Sequence, residues 1–288
     1  MNLKSKILNL KSRYWPLLKS LQTTLLLVTG LAGYLSAQPM ENHRGMLAAV
    51  AGSLFMAIGG STVLNMWYDR DIDAVMRRTC MRPLAAQRIT PREALVLGIV
   101  LSAAGVGWAF LLSPLYGLVV FAGLFFDFII YTLWLKRRTA WAIVWGGISG
   151  GMPVLAGRAL AIGKIDEIGI TLTLAVLFWI PTHIMTFSMR YFDDYQAARI
   201  PTFPSNYGFP FTRVTIAVSS VLAALSMGLA AYWVGESAGA LGLMAVLGTG
   251  LLILALTSVA RPSQKMNFTL FKYASIYMLC SMLLLALR

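Results

Sequence analysis

The chain has 288 residues, 58% of them hydrophobic and only 12% charged, with a mean hydropathy of +0.72. That is too apolar for a soluble domain of this length and implies several membrane crossings. The formal net charge of +13 is spread over short loops without a binding module among them, which speaks against nucleic acid as the partner.

Residues 1–19 form a basic segment, and the apolar stretch that follows is too long for a signal-peptide core and has no small-residue cleavage site. It reads as a retained first helix. Apolar segments then follow at approximately 20–38, 46–64, 93–112, 114–134, 141–162, 168–188, 212–234, 238–259 and 269–287. The expected fold is all-α and polytopic, with a basic N-terminal segment at 1–19 and one nine-helix membrane domain at 20–288. If the segments all cross, the N-terminus and the connections 2–3, 4–5, 6–7 and 8–9 share one side and carry 20 of the 24 Lys and Arg. The other side keeps only Arg44, Arg158, Lys164 and Arg288. The positive-inside rule then predicts an integral protein of the cell membrane, its N-terminus cytoplasmic and its C-terminus outside.

The second segment ends in Asn65-Met-Trp-Tyr-Asp69-Arg-Asp71-Ile-Asp73. On a helix Asn65, Asp69 and Asp73 share a face, and such a stack repels itself unless something positive sits among its members. Mg²⁺ bridging to a phosphate-bearing ligand is one answer, because it prefers one or two carboxylates plus substrate oxygens; a solvated helix end is the plain alternative. The other polar clusters fall on the same predicted side. They are Arg77, Arg78 and Arg82 in connection 2–3, Lys136, Arg137 and Arg138 in connection 4–5, and Asp193 and Asp194 in connection 6–7. Carboxylates for Mg²⁺ and Lys/Arg for phosphate oxygens are what a diphosphate site requires. Lys136–Arg138 also read as orientation signal alone, whereas a paired acid on the basic side has no such use.

Three further residues admit two readings each. Asp127 lies inside the fourth segment, four residues before Tyr131, where a carboxylate is costly enough to suggest function; a hydrogen bond to a neighbouring helix is the alternative. Tyr131 either turns its ring to a cation or belongs to an interfacial belt. His183 either binds an acceptor or packs between helices. Gly146, Gly147, Gly150 and Gly151 read as close helix packing. Cys80 and Cys280 are too few for a disulfide framework, and His43 and His183 argue against a polyhistidine metal or haem site within one subunit. No P-loop and no Ser/His/Asp triad is present.

Four stretches together resemble the UbiA superfamily of intramembrane prenyltransferases, over roughly residues 20–285. NMWYDRDIDAVMRRTCMRPL at 65–84 is similar to the family's first aspartate-rich motif and the R-T-x-x-R-P-L run after it. YTLWLKRRT at 131–139, GGISGGMPVLAG at 146–157 and PTHIMTFSMRYFDDYQAARIP at 181–201 resemble its haem-prenylating branch. Arg190 stands where the wider superfamily's second D-x-x-x-D motif begins, and the paired D-D-Y form is that of the haem branch. The resemblance implies transfer of a farnesyl group from an isoprenyl diphosphate to protoheme IX (haem B), giving haem O and diphosphate. It implies Mg²⁺ held by Asn65, Asp69, Asp73, Asp193 and Asp194, with Asn65, Asp69, Asp73, Tyr131 and Asp194 as catalytic residues. Arg78, Arg82, Lys136 and Arg137 would neutralise the diphosphate and His183 would meet the acceptor. The lipid bilayer is a partner throughout, and downstream haem-modifying or oxidase-assembly proteins are admitted. Prenylation of a quinone precursor or a glycerol-phosphate lipid would use similar diphosphate motifs. A secondary transporter is disfavoured because no internal repeat appears and the charges gather at one face.

Overall fold

The computed structural model describes residues 13–37 and 44–287. Lys4, Lys6, Lys11, His43 and Arg288, which enter the charge count or the histidine argument, lie outside the described residues. A 3₁₀ turn at Trp15–Leu18 leads into α1 (Ser20–Leu35), then α2 (Arg44–Tyr68), the short α3 (Arg70–Val75), α4 (Pro91–Leu112) and α5 (Pro114–Leu124). α5 continues as a π-helix over Phe125–Leu135. α6 (Ala142–Ile162), α7 (Glu167–Arg190), the short α8 (Phe192–Ala197), α9 (Phe203–Val234), α10 (Ala238–Ala260) and α11 (Gln264–Ala286) complete the order.

Seven of these helices are long and apolar enough to cross a bilayer: α2, α4, α5 with its π continuation, α7, α9, α10 and α11. The protein is a multi-pass integral membrane protein. α1 is shorter, and α6 is diluted by its glycines, Pro153 and Arg158. Large side chains on the outer surface are apolar, as Leu111, Val246 and Leu256 show, which suits lipid as the solvent.

Helix ends follow local sequence. Thr90 and Glu93 form a capping box with Pro91 in the first turn of α4, and Ser237 and Ser263 cap α10 and α11. α9 begins nine residues before its predicted start at 212. Pro204 and Pro210 look like breakers in sequence. Thr202 and Ser205 cap the helix around Pro204, however, and Gly208 (φ 78°) absorbs the kink before Pro210. Arg213 lies inside α9 and Lys272 inside α11, although the charge count assigns both to connections.

α2 packs on α4, α9 on α7, and α1 on α6, while α6 also meets α7 and α11 bridges α7 and α1. One apolar core lies among α7, α9, α10 and α11, and a second among α1, α2, α4, α5 and α6. The α1–α6 seam between them has no room for side chains. A Cβ on Gly157 would stand 1.9 Å from the Gly30 carbonyl oxygen, and one on Gly33 2.1 Å from that of Val154. The glycines of α6 predicted to pack closely do so, Gly146 against the Tyr131 ring and Gly151 against Thr173 of α7.

A third core of Leu17, Val63, Met66, Leu84, Ile89 and Ala94 ties the N-terminal turn and the α3–α4 connection onto the end of α2. Three connections meet at this end of the bundle. Arg137 joins the π-helix exit to Asp71 of α3, and the Arg78 amide joins the α3–α4 connection to Asp194 of α8. At the opposite end Arg158 pairs with Asp166 (Nη2–Oδ2 2.8 Å) and donates to Ser36 Oγ (2.8 Å).

Candidate active site

Asp69 interrupts the α2 dihedrals (φ −85°, ψ 5°), yet the four-residue ladder continues through it. Its amide donates to the Asn65 carbonyl (2.9 Å), and the Asp73 amide donates to its own (2.8 Å). The predicted common face is therefore kept across the kink. Asn65, Asp69 and Asp73 are buried at 9%, 4% and 4% exposure, while the Asp71 side chain is 61% exposed on another face.

Each buried carboxylate faces a cation. Lys136 Nζ donates to Asp69 Oδ2 and Arg82 Nη1 to both oxygens of Asp73 (2.8 and 2.9 Å). Burial opposes the Lys136 charge, but Asp69 and Tyr131 outweigh it and hold the ammonium above its ordinary range. Asp69 Oδ1 is buried and accepts no hydrogen bond; Arg137 Nη2 lies 3.8 Å away. Arg137 itself is committed to Asp71 through two 2.7 Å bonds and to the Tyr68 carbonyl and ring. This fork holds the Asp71 carboxyl below its usual range.

Asp194 Oδ2 accepts from the Arg78 amide (3.2 Å), so the second acidic motif reaches the first through the α3–α4 connection. The Arg78 guanidinium lies over the rings of Phe187 (4.8 Å) and Tyr191 (5.5 Å). Asp193 is exposed on α8. Among the described residues no three His, Cys, Asp or Glu side chains converge closely enough to form a metal cage by themselves. Tyr131 and Lys136 share one wall of a narrow cleft of about 50 Å³ that Met185, Ser188, Tyr195 and Phe203 help close. The Lys136 ammonium lies 5.7 Å from the Tyr131 ring centroid.

His183 is elsewhere. Its ring is stacked between Trp179 (4.9 Å) and Phe271 (4.6 Å) on the α7–α11 seam, with Nδ1 3.2 Å from Ser275 Oγ. That is the helix-packing alternative in geometry. Lys19 is the residue that sequence reasoning passed over. It was counted only as an orientation charge, and it makes no ion pair within 4 Å among the described residues. It is lodged in the left-handed region (φ 42°) at the head of α1. Burial, then Arg82 and Lys136, pull its pKa down to about 8 against Asp69 and Asp73. Nothing in the sequence separates it from the other N-terminal lysines. Ser61 and Thr132 were also passed over: they hydrogen-bond to Asp127 and Asn65 and become visible only once the π register is known.

The site thus offers a carboxylate face, an unsatisfied carboxylate oxygen and a surplus of cations, which suits a polyanion better than a neutral ligand. The sequence pattern of the UbiA prenyltransferase family matches residues 26–279. The chain is similar to the protoheme IX farnesyltransferase of Archaeoglobus fulgidus, 45% identical over 186 residues, an alignment covering 65% of each chain. It is also similar to the protoheme IX farnesyltransferase of Pyrobaculum arsenaticum, 40% identical over 84% of this chain and 88% of that one. In three dimensions it resembles a UbiA homologue from Archaeoglobus fulgidus bound to DMAPP and Mg²⁺, with a TM-score of 0.70 at 14% identity, covering 96% of this chain and all of that one. The chain belongs to the UbiA prenyltransferase family.

Proposed function

We propose that the protein transfers a farnesyl group from farnesyl diphosphate to protoheme IX, releasing diphosphate and giving haem O. The single observation that carries the diphosphate half is the pairing of buried Asp69 and Asp73 with Lys136 and Arg82, with Lys19 close enough to feel all four charges. The acceptor half rests on the similarity to proteins named protoheme IX farnesyltransferase.

The residues fit Mg²⁺: buried Asp69 Oδ1 accepts no hydrogen bond, Asn65 and Asp73 add oxygen donors on the same face, and Asp194, with exposed Asp193 next to it, bonds to the Arg78 amide of the α3–α4 connection. Bound there, Mg²⁺ would supply Lewis-acid neutralisation of the leaving diphosphate. Lys136, Arg82 and Lys19 would take its remaining oxygens, the first two exchanging a carboxylate for phosphate. Arg78 and Arg137 stand in the next rank, since rings and Asp71 occupy them. The Tyr131 ring faces the cleft, where it would favour a developing allylic cation, and apolar walls there would keep water from it. His183, on the α7–α11 seam, would meet the acceptor there. We place the site at the cytoplasmic face of the cell membrane, with nine crossings, the N-terminus inside and the C-terminus outside, on a charge split that is still 18 to 4 (20 − 2) once Arg213 and Lys272 are set aside. Downstream haem-modifying or oxidase-assembly proteins would receive the product.

The test is incubation of the purified protein with Mg²⁺, farnesyl diphosphate and haem, 4-hydroxybenzoate or a prenylglycerol phosphate, with products identified by mass spectrometry. A farnesylated haem alone is the expected outcome. Farnesylation of either other acceptor in preference to haem would overturn the assignment.

A further inference from the structure

We propose that Asp127, with Ser61 and Thr132, is a positioning clamp that decides which end of the Asn65 amide faces the diphosphate site. The inference rests on reading Asn65 as part of that site. Asp127 is a carboxylate inside a membrane-crossing helix, where such a group is costly and calls for a partner. Its Oδ2 accepts from Ser61 Oγ (2.5 Å) and from Asn65 Nδ2 (2.8 Å). An ionised carboxylate accepts only, so it can face the NH₂ end of an amide and not the oxygen end. On the other side, Thr132 Oγ1 lies 2.8 Å from Asn65 Oδ1 and 2.9 Å from the Asp127 carbonyl, its single proton shared between them. With one N–H held by Asp127 and one Oδ1 lone pair contacted, Asn65 keeps its second N–H and its second Oδ1 lone pair, and only the lone pair is a cation ligand.

The π-helix makes this possible. Its bonds span five residues, as from the Lys136 amide to the Tyr131 carbonyl (2.8 Å). Residues five apart therefore come to one face, as they do not in an α-helix. Asp127 falls in line with Thr132 toward α2, and Tyr131 in line with Lys136 at the cleft. An α-helix would turn Thr132 about 140° away from Asp127 and leave Asn65 without one of its two holders. One segment thus serves the amide with one face and the cleft with the other.

The experiment titrates Mn²⁺, read by electron paramagnetic resonance, into the full-length protein in nanodiscs with farnesyl thiodiphosphate present. Asp127→Asn keeps the shape but can turn an NH₂ toward Asn65, so the amide is free to flip. Mn²⁺ affinity should fall about 10- to 100-fold, as for other groups that orient a metal ligand. Ser61→Ala, which leaves the carboxylate in place, should cost less. Asn65→Asp has no amide to orient and sets a like charge against Asp127. Adding Asp127→Asn to it restores a donor–acceptor pair, so the double variant should bind Mn²⁺ at least as tightly as Asn65→Asp alone. An equal loss from Asp127→Asn in both backgrounds would overturn the clamp, and so would unchanged affinity with only a lower unfolding temperature. Wild-type protein that binds no Mn²⁺ with the analogue would sink the diphosphate-site reading and the clamp with it; binding without the coupling sinks the clamp alone.

Discussion

Asp69 and Asp71 are two residues apart and should behave oppositely on substitution. The Asp69 side chain is 5% exposed, bonded to Lys136 through one oxygen and carrying another without a hydrogen bond. Asp71 is 61% exposed and paired with Arg137 near solvent. Losing one contact that stabilises charge in the transition state typically costs about 10²–10³ in rate, or about 2.7–4 kcal/mol. An exposed ion pair contributes only about 0–1 kcal/mol. Asp69→Ala also strands the half-buried Lys136 ammonium, and breaking a well-buried pair costs up to about 3–5 kcal/mol of stability. Asp69→Asn keeps an acceptor for Lys136 and separates the two effects. Diphosphate release from farnesyl diphosphate, measured beside thermal unfolding in detergent, should show Asp69→Asn down by about 10²–10³ with a near-wild-type melt. Asp73→Ala should lose comparable activity, and Asp71→Ala should stay within a few-fold of wild type. If Asp71→Ala is as damaging as Asp69→Asn, or if every variant loses activity only as it loses stability, the one-face site is wrong.

Three other outcomes are expected. Gly157→Ala drives a methyl into the Gly30 carbonyl, so thermal unfolding should show a loss of about 1–3 kcal/mol or more, and an unchanged melt would deny the tight α1–α6 crossing. Cysteines introduced at Arg88 and Ser237 should label from opposite sides of the membrane in intact cells; labelling from one side would refute the proposed topology. Asp166 has its carboxyl held below the usual range: burial opposes this, but the Arg158 fork and the Gly169 amide prevail. The pair's stabilisation is therefore present above about pH 3.8 and lost as the pH falls through the lower folded value. Unfolding curves of wild type and Asp166→Asn should converge below that pH, and a constant gap would contradict the assignment.

Much of this was legible in the chain because two periodicities survive folding nearly unaltered. Apart from the start of α9, long apolar runs became helices within about five residues of expectation, and the four-residue spacing of Asn65, Asp69 and Asp73 persisted through a kink that the sequence does not advertise. What escaped depended on backbone geometry or on neighbours distant in sequence. Asp127 and Thr132 are five apart and would point to different faces of an α-helix; the π register sets both against Asn65. Arg78 and Arg137 carry the right charge, but nearby rings and Asp71 take up their guanidinium groups, which spacing alone does not reveal. Lys19 is one basic residue among several at the N-terminus, and only the packing of Leu17 under α2 brings its ammonium toward Arg82 and Lys136.

The central claim is that Asn65, Asp69 and Asp73 face a metal-bound diphosphate. The most direct measurement is an experimental structure of the protein in nanodiscs with Mg²⁺ and farnesyl thiodiphosphate. Metal density should lie against Asp69 Oδ1 and Asp73, with Lys136 and Arg82 turned from these carboxylates onto phosphate oxygens. Diphosphate density away from this face, with the Asp69–Lys136 and Asp73–Arg82 pairs intact, would contradict it.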